Sequence, residues 1–93
     1  MGDITDRGER LRILMLEDSA LDAELISAQL LRAGLDFEAE RVWTRRGFLD
    51  AIDSGTHDVI LADHVLPGFD GDAALALARE RVPHTPFIFV SGT

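Results

Sequence analysis

The chain has 93 residues, 46% of them hydrophobic, and a formal net charge of -8, which allows one small domain with its own core. It contains no cysteine, which excludes a disulfide framework and a thiolate metal site, and no apolar run approaches the ~18 residues of a membrane span. All nine basic residues are arginine, and the acidic balance disfavours nucleic-acid phosphates while suiting a cation or a basic protein surface.

Residues 1–10 lack any hydrophobic period and read as a flexible N-terminal arm, with the domain proper over 11–93. Met1 to Arg12 is polar and mixed in charge, without the apolar core of a secretory leader. Arg12 to Leu16 is an apolar run of strand length that stops at Glu17 and Asp18. Ser19 then has the character of a helix N-cap, with Asp22 as the capping-box acid. Leu21, Leu25, Ile26, Ala28, Leu30 and Leu31 set a 3.6-residue apolar face over residues 20–33, and Gly34 follows as a helix-ending residue.

Phe37, Ala39 and Arg41 alternate with Glu38, Glu40 and Val42, the pattern of a half-exposed strand at a sheet edge. Trp43 reads as a packing residue at its end. Thr44 caps a second helix, carried by Phe48, Leu49 and Ile52 and ended near Gly55. Asp58 to Ala62 is a third strand, closed by Asp63. A loop with Pro67, Gly68 and Gly71 leads into a third helix over residues 72–81, with Ala74, Leu75, Leu77 and Ala78 inward. Pro83 and Pro86 bracket a turn before a fourth strand, Phe87 to Val90, and Ser91-Gly92-Thr93 end the chain.

Strands alternate with helices in the order βαβαβαβ. That order implies an α/β fold with a parallel sheet, right-handed crossovers and helices on both faces. All strands of such a sheet end at one edge, where open α/β folds build their sites. Strand one delivers Glu17 and Asp18 there, strand three Asp63 and strand four Ser91. Three converging carboxylates repel one another unless a cation intervenes. A hard divalent ion that keeps part of its water, Mg2+ above all, suits such oxygen ligands. The ion can neutralise phosphoryl oxygens while one carboxylate attacks, with the Ser91 hydroxyl donating a hydrogen bond.

Three segments carry a resemblance: Leu14-Met15-Leu16-Glu17-Asp18-Ser19; Ile60-Leu61-Ala62-Asp63 with Leu66-Pro67-Gly68-Phe69-Asp70-Gly71; and Phe89-Val90-Ser91-Gly92. In this order and spacing over 12–93 the chain resembles the receiver domain of bacterial two-component response regulators. The resemblance implies a flavodoxin-like (CheY-like) sheet of order 2-1-3-4. It implies a phosphoryl transfer from a histidine kinase or phosphotransfer protein, in the cytoplasm. Residue by residue, Asp63 is the phosphoacceptor and Ser91 the switch hydroxyl. Glu17 and Asp18 match the acidic pair for Mg2+, Asp18 as direct ligand, and Val65 offers its backbone carbonyl. The family also has a fifth strand, beginning with a phosphoryl-pairing lysine, and two further helices. This chain lacks them and contains no lysine, so the expectation is a chain cut inside the domain.

Each residue also has a plainer reading. Asp63 alone could be a strand-end cap, Glu17 and Asp18 helix-start acids favoured by the dipole, and Ser91 an ordinary strand-end hydroxyl. His64 points along the loop rim, His57 and His84 lie in turns, and Arg45-Arg46 is a solvated helix start. The competing functions are an interaction-only module of the same fold, favoured by the missing lysine, and a hydrolase with an aspartate nucleophile. The hydrolase pattern requires a second aspartate where Val65 stands. Direct nucleic-acid and membrane binding are not expected. Without the fifth strand, strand four is an open apolar edge and the face of strands one and three is uncovered, so the chain is expected to form a homodimer.

Overall fold

The computed structural model describes residues 10–63 and 66–90. The elements run β1 (Leu11–Leu16), α1 (Ala20–Arg32), β2 (Phe37–Val42), α2 (Arg45–Ser54), β3 (Val59–Asp63), α3 (Gly71–Arg81) and β4 (Phe87–Val90). The four strands are parallel in the order β2-β1-β3-β4, the CheY-like arrangement expected of the sequence. The arm proposed over 1–10 lies outside the described residues except for Arg10. So do Ser91, Val65 and His64.

β1 is the hinge of the sheet. Its register with β2 runs from Leu11↔Phe37 to Leu16↔Val42, and with β3 from Ile13↔Val59 to Leu16↔Ala62. Ile13, Leu14, Met15 and Leu16 are each at most 2% exposed, as befits a strand covered on both faces. On one face Leu14, Leu16, Ile60 and Ala62 pack with Phe48 and Ile52 of α2 and Ala74 and Ala78 of α3. On the other, Ile13, Phe37 and Leu61 pack with Ile26 and Leu30 of α1.

The helix ends follow their signals. Ser19, Thr44 and Asp70 are N-caps whose side chains accept the N–H of Asp22, Gly47 and Ala73. α1 closes with Gly34 N–H on the Leu31 carbonyl and Leu35 N–H on the Leu30 carbonyl, the six-to-one and five-to-two pairing that needs a left-handed residue. Gly34 supplies it at φ 88°.

Three expectations are corrected. The apolar face of α1 is not buried as a whole: Leu21, Leu25 and Leu31 are 65%, 55% and 62% exposed. The helix meets the sheet through Ala23, Ile26 and Leu30, and at 100° per residue Leu21 and Leu25 fall on the opposite side. The face of β1 and β3 is not uncovered either, because α1 buries Ile13, Met15 and Leu61. Exposed apolar surface lies instead on α1 and on Ile88 and Phe89 of β4. Finally, α3 begins one residue early, at Gly71, because Asp70 rather than a later residue is its cap.

Candidate functional site: an acidic cluster at the carboxyl edge

Asp63 is the last residue of β3, and Glu17 and Asp18 follow the last residue of β1. Leu16 and Ala62 are register partners in the neighbouring strands, so the next residue along each strand emerges at the same edge. One ligand oxygen from each of Glu17, Asp18 and Asp63 lies within 4.8 Å of the others. The three sequence-predicted carboxylates therefore form one cluster. Glu17 is 2% exposed, Asp63 half-buried and Asp18 exposed.

The Glu17 carboxyl is pushed above its ordinary range. Burial is the main cause, since it penalises the charged form. The bond from the Ser19 N–H opposes it, while the negative charge of Asp63, a hydrogen bond with Asp18 and the charge of Asp22 add to it. Neighbouring negative charge thus adds to the cost of burial at Glu17. Three carboxylates so crowded, one of them withdrawn from water, are the donor set that a hard divalent cation relieves.

The capping box expected at α1 is built differently. Ser19 accepts the Asp22 N–H (3.1 Å), but the Ser19 N–H donates to Glu17 Oε2 (3.0 Å). Glu17 takes the place foreseen for Asp22, so the start of α1 and the acidic cluster share a side chain.

Sequence reasoning missed Arg41. From the edge strand it reaches back so that Nη1 donates to the Glu17 carbonyl (3.2 Å) and the Asp18 carbonyl (3.4 Å). Its guanidinium carbon lies 4.4 Å from the centre of the Trp43 ring. Trp43, expected to pack, is 47% exposed. A signal was present: Arg41 and Trp43 stand two apart at a strand end, on the same face. Of the remaining candidates, His57 pairs through Nε2 with Glu40 Oε1 (3.1 Å), ahead of β3 and apart from the cluster. Ser91 and the Val65 carbonyl lie outside the described residues.

No family model matches the chain. It is 30% identical over 80 residues to the response regulator protein FleR of Pseudomonas aeruginosa, a match that takes in 86% of this chain and 16% of that protein. In fold it is similar to the receiver domain of the sensor histidine kinase PA1611 from Pseudomonas aeruginosa, whose structure holds a magnesium ion in the active-site cleft. The TM-score is 0.73 at 26% identity, over 86% of this chain and 66% of the other. The chemotaxis response regulator CheY4 of Vibrio cholerae shares the fold with a TM-score of 0.72 at 24% identity, over 86% of this chain and 67% of its own. The chain thus spans about one sixth of the full-length regulator and about two thirds of the solved receivers. With the 2-1-3-4 sheet and the strand-end acids beside these likenesses, the chain has the CheY-like receiver fold and is similar to the receiver domains of two-component response regulators.

Proposed function

We propose that the chain is a phosphoacceptor module of a phosphorelay, with Asp63 as the acceptor. The observation that carries this reading is the convergence of Glu17, Asp18 and Asp63 within 4.8 Å at the carboxyl edge of the sheet. An Asp63 carboxylate oxygen attacks the phosphorus of a phosphohistidine on a histidine kinase or phosphotransfer protein. The P–N bond breaks, its electron pair returns to the imidazole nitrogen, and an aspartyl phosphate is left on the chain. Bound Mg2+ supplies charge neutralisation of the phosphoryl oxygens. Asp18 and Asp63 would hold the ion, and Glu17 would add negative charge to the site. The Val65 carbonyl and the Ser91 hydroxyl complete the assignment on the strength of the sequence.

The output of such a module is a shift between two surface states rather than turnover of a substrate. The net charge of -8 argues against direct nucleic-acid contact, and a cytoplasmic setting belongs to the same reading. Self-association through β4 is part of it too, since Ile88 and Phe89 are 48% and 38% exposed on a strand with one neighbour among the described residues.

Acetyl phosphate with Mg2+ tests the proposal. One phosphoryl group should appear at Asp63, and none in the Asp63→Asn variant or without the metal. Mg2+ binding with no labelling at any donor concentration would instead favour the interaction-only module.

A further inference from the structure

We infer that Arg41, seated on Trp43, is a positioning residue for the acidic cluster; this rests on the metal-binding reading above. The chain carries 17 acidic residues, yet Arg41 makes no ion pair with any of them among the described residues. Its contacts are two backbone carbonyls, those of Glu17 and Asp18, and one indole ring. These are the carbonyls of two of the three residues whose carboxylates converge. The backbone beside them is tied to the same strand, with the Glu17 N–H on the Val42 carbonyl at 2.9 Å. Edge strand β2 therefore grips the Glu17-Asp18 segment twice, once through its main chain and once through Arg41.

A planar guanidinium suits this task. It spans two neighbouring carbonyls from one nitrogen and stacks its face on an aromatic ring, which an ammonium does less well. Fixing the peptide between Glu17 and Asp18 fixes where Asp18, the exposed member of the cluster, holds its carboxylate. The stack on Trp43 removes rotamer freedom that the arginine would otherwise lose on bonding.

Charge and position make opposite demands, and this separates them. As a bare cation near three carboxylates, Arg41 repels a divalent ion, so its loss should tighten binding. As a positioning residue its loss should loosen binding. The experiment is a calorimetric Mg2+ titration of the full chain and its Arg41→Ala and Arg41→Lys variants, with amide exchange at Asp18 and Ser19 followed in metal-free samples. Arg41→Ala should weaken Mg2+ about fivefold, the scale of one or two hydrogen bonds, and Arg41→Lys should regain part of this. Exchange at Asp18 and Ser19 should quicken in the Ala variant even without metal. Unchanged or tighter Mg2+ binding by Arg41→Ala, or unchanged exchange, overturns the role. If the parent chain binds no Mg2+, the metal reading fails, and the exchange comparison alone decides whether Arg41 holds the segment.

Discussion

The buried Glu17 carboxylate accepts the backbone N–H of Ser19 at 3.0 Å, so the side chain that secures the N-cap of α1 also charges the acidic cluster. Its pKa is raised above the ordinary value of 4.5, first by burial. A raised native value means that the folded chain holds a proton more tightly than the unfolded one. The associated stability is fully present below 4.5 and is lost as pH rises through the native value. Metal-free chain should therefore lose stability upward from pH 4.5, and Glu17→Gln should flatten the profile over that window. Urea midpoints at half-unit pH steps measure this; parallel profiles for the two proteins would refute it.

Asp18→Asn removes a charge from the exposed side of the cluster. Mg2+ affinity should fall on the order of tenfold, about 1.4 kcal/mol. Folding of the metal-free variant should not suffer, because a repelling charge has gone. A titration in which the variant binds as tightly as the parent would remove Asp18 from the ligand set.

Phe48 is fully buried and packs its ring on Phe69 with centroids 5.7 Å apart. Phe48→Ala should cost about 3–5 kcal/mol, enough to unfold a small domain. Phe48→Leu should cost about 1 kcal/mol or somewhat more and leave the slope of urea unfolding unchanged. Loss of Phe48 with no fall in urea midpoint would contradict the packing of α2 and α3 on the sheet.

Gly34 has φ 88°, and a Cβ added there meets nothing within 4 Å. Gly34→Ala should thus be a pure backbone penalty of about 1 kcal/mol, with Gly34→Asn recovering part of it. Equal stability of the Ala variant in thermal unfolding would show that the α1 end does not need the left-handed residue.

The β4 edge is the predicted self-association surface. Light scattering across a range of concentrations should show mass rising with concentration, and Ile88→Lys should abolish the rise by charging the edge. A parent chain that stays monomeric throughout would retire the homodimer.

Element order, helix caps and the acidic convergence were legible because each depends on local signals, whereas the strand order came only with the family resemblance. Strand-length apolar runs, Ser19, Thr44 and Gly34, and acids at two strand ends need no knowledge of distant packing. What stayed hidden depended on which side of an element meets the sheet. Leu21 and Leu25 look like core on a helix that is apolar around much of its circumference. Only the placement of α1, touching through Ala23, Ile26 and Leu30, decides that they face out. Arg41 was hidden for a similar reason: a side chain that bonds main-chain carbonyls of another strand leaves no charge partner in the sequence to betray it. Glu17 displaced Asp22 as the partner of Ser19 because its side chain reaches the Ser19 N–H two residues on, a local geometry that residue spacing does not specify.

β1, an inner strand of the sheet, precedes both of its neighbours in sequence. Arg12 and Asp58, which bond across the start of the β1–β3 pair, are 46 residues apart, whereas Arg10 and Asp36, at the start of the β1–β2 pair, are 26 apart. During synthesis β1 therefore emerges as a bare apolar ribbon, gains one neighbour with β2, and gains the second only after β3 has been made. Such distant parallel pairing is slow to form. The nascent chain thus exposes Ile13 to Leu16 until β3 has been made, the interval in which a chaperone has most to bind.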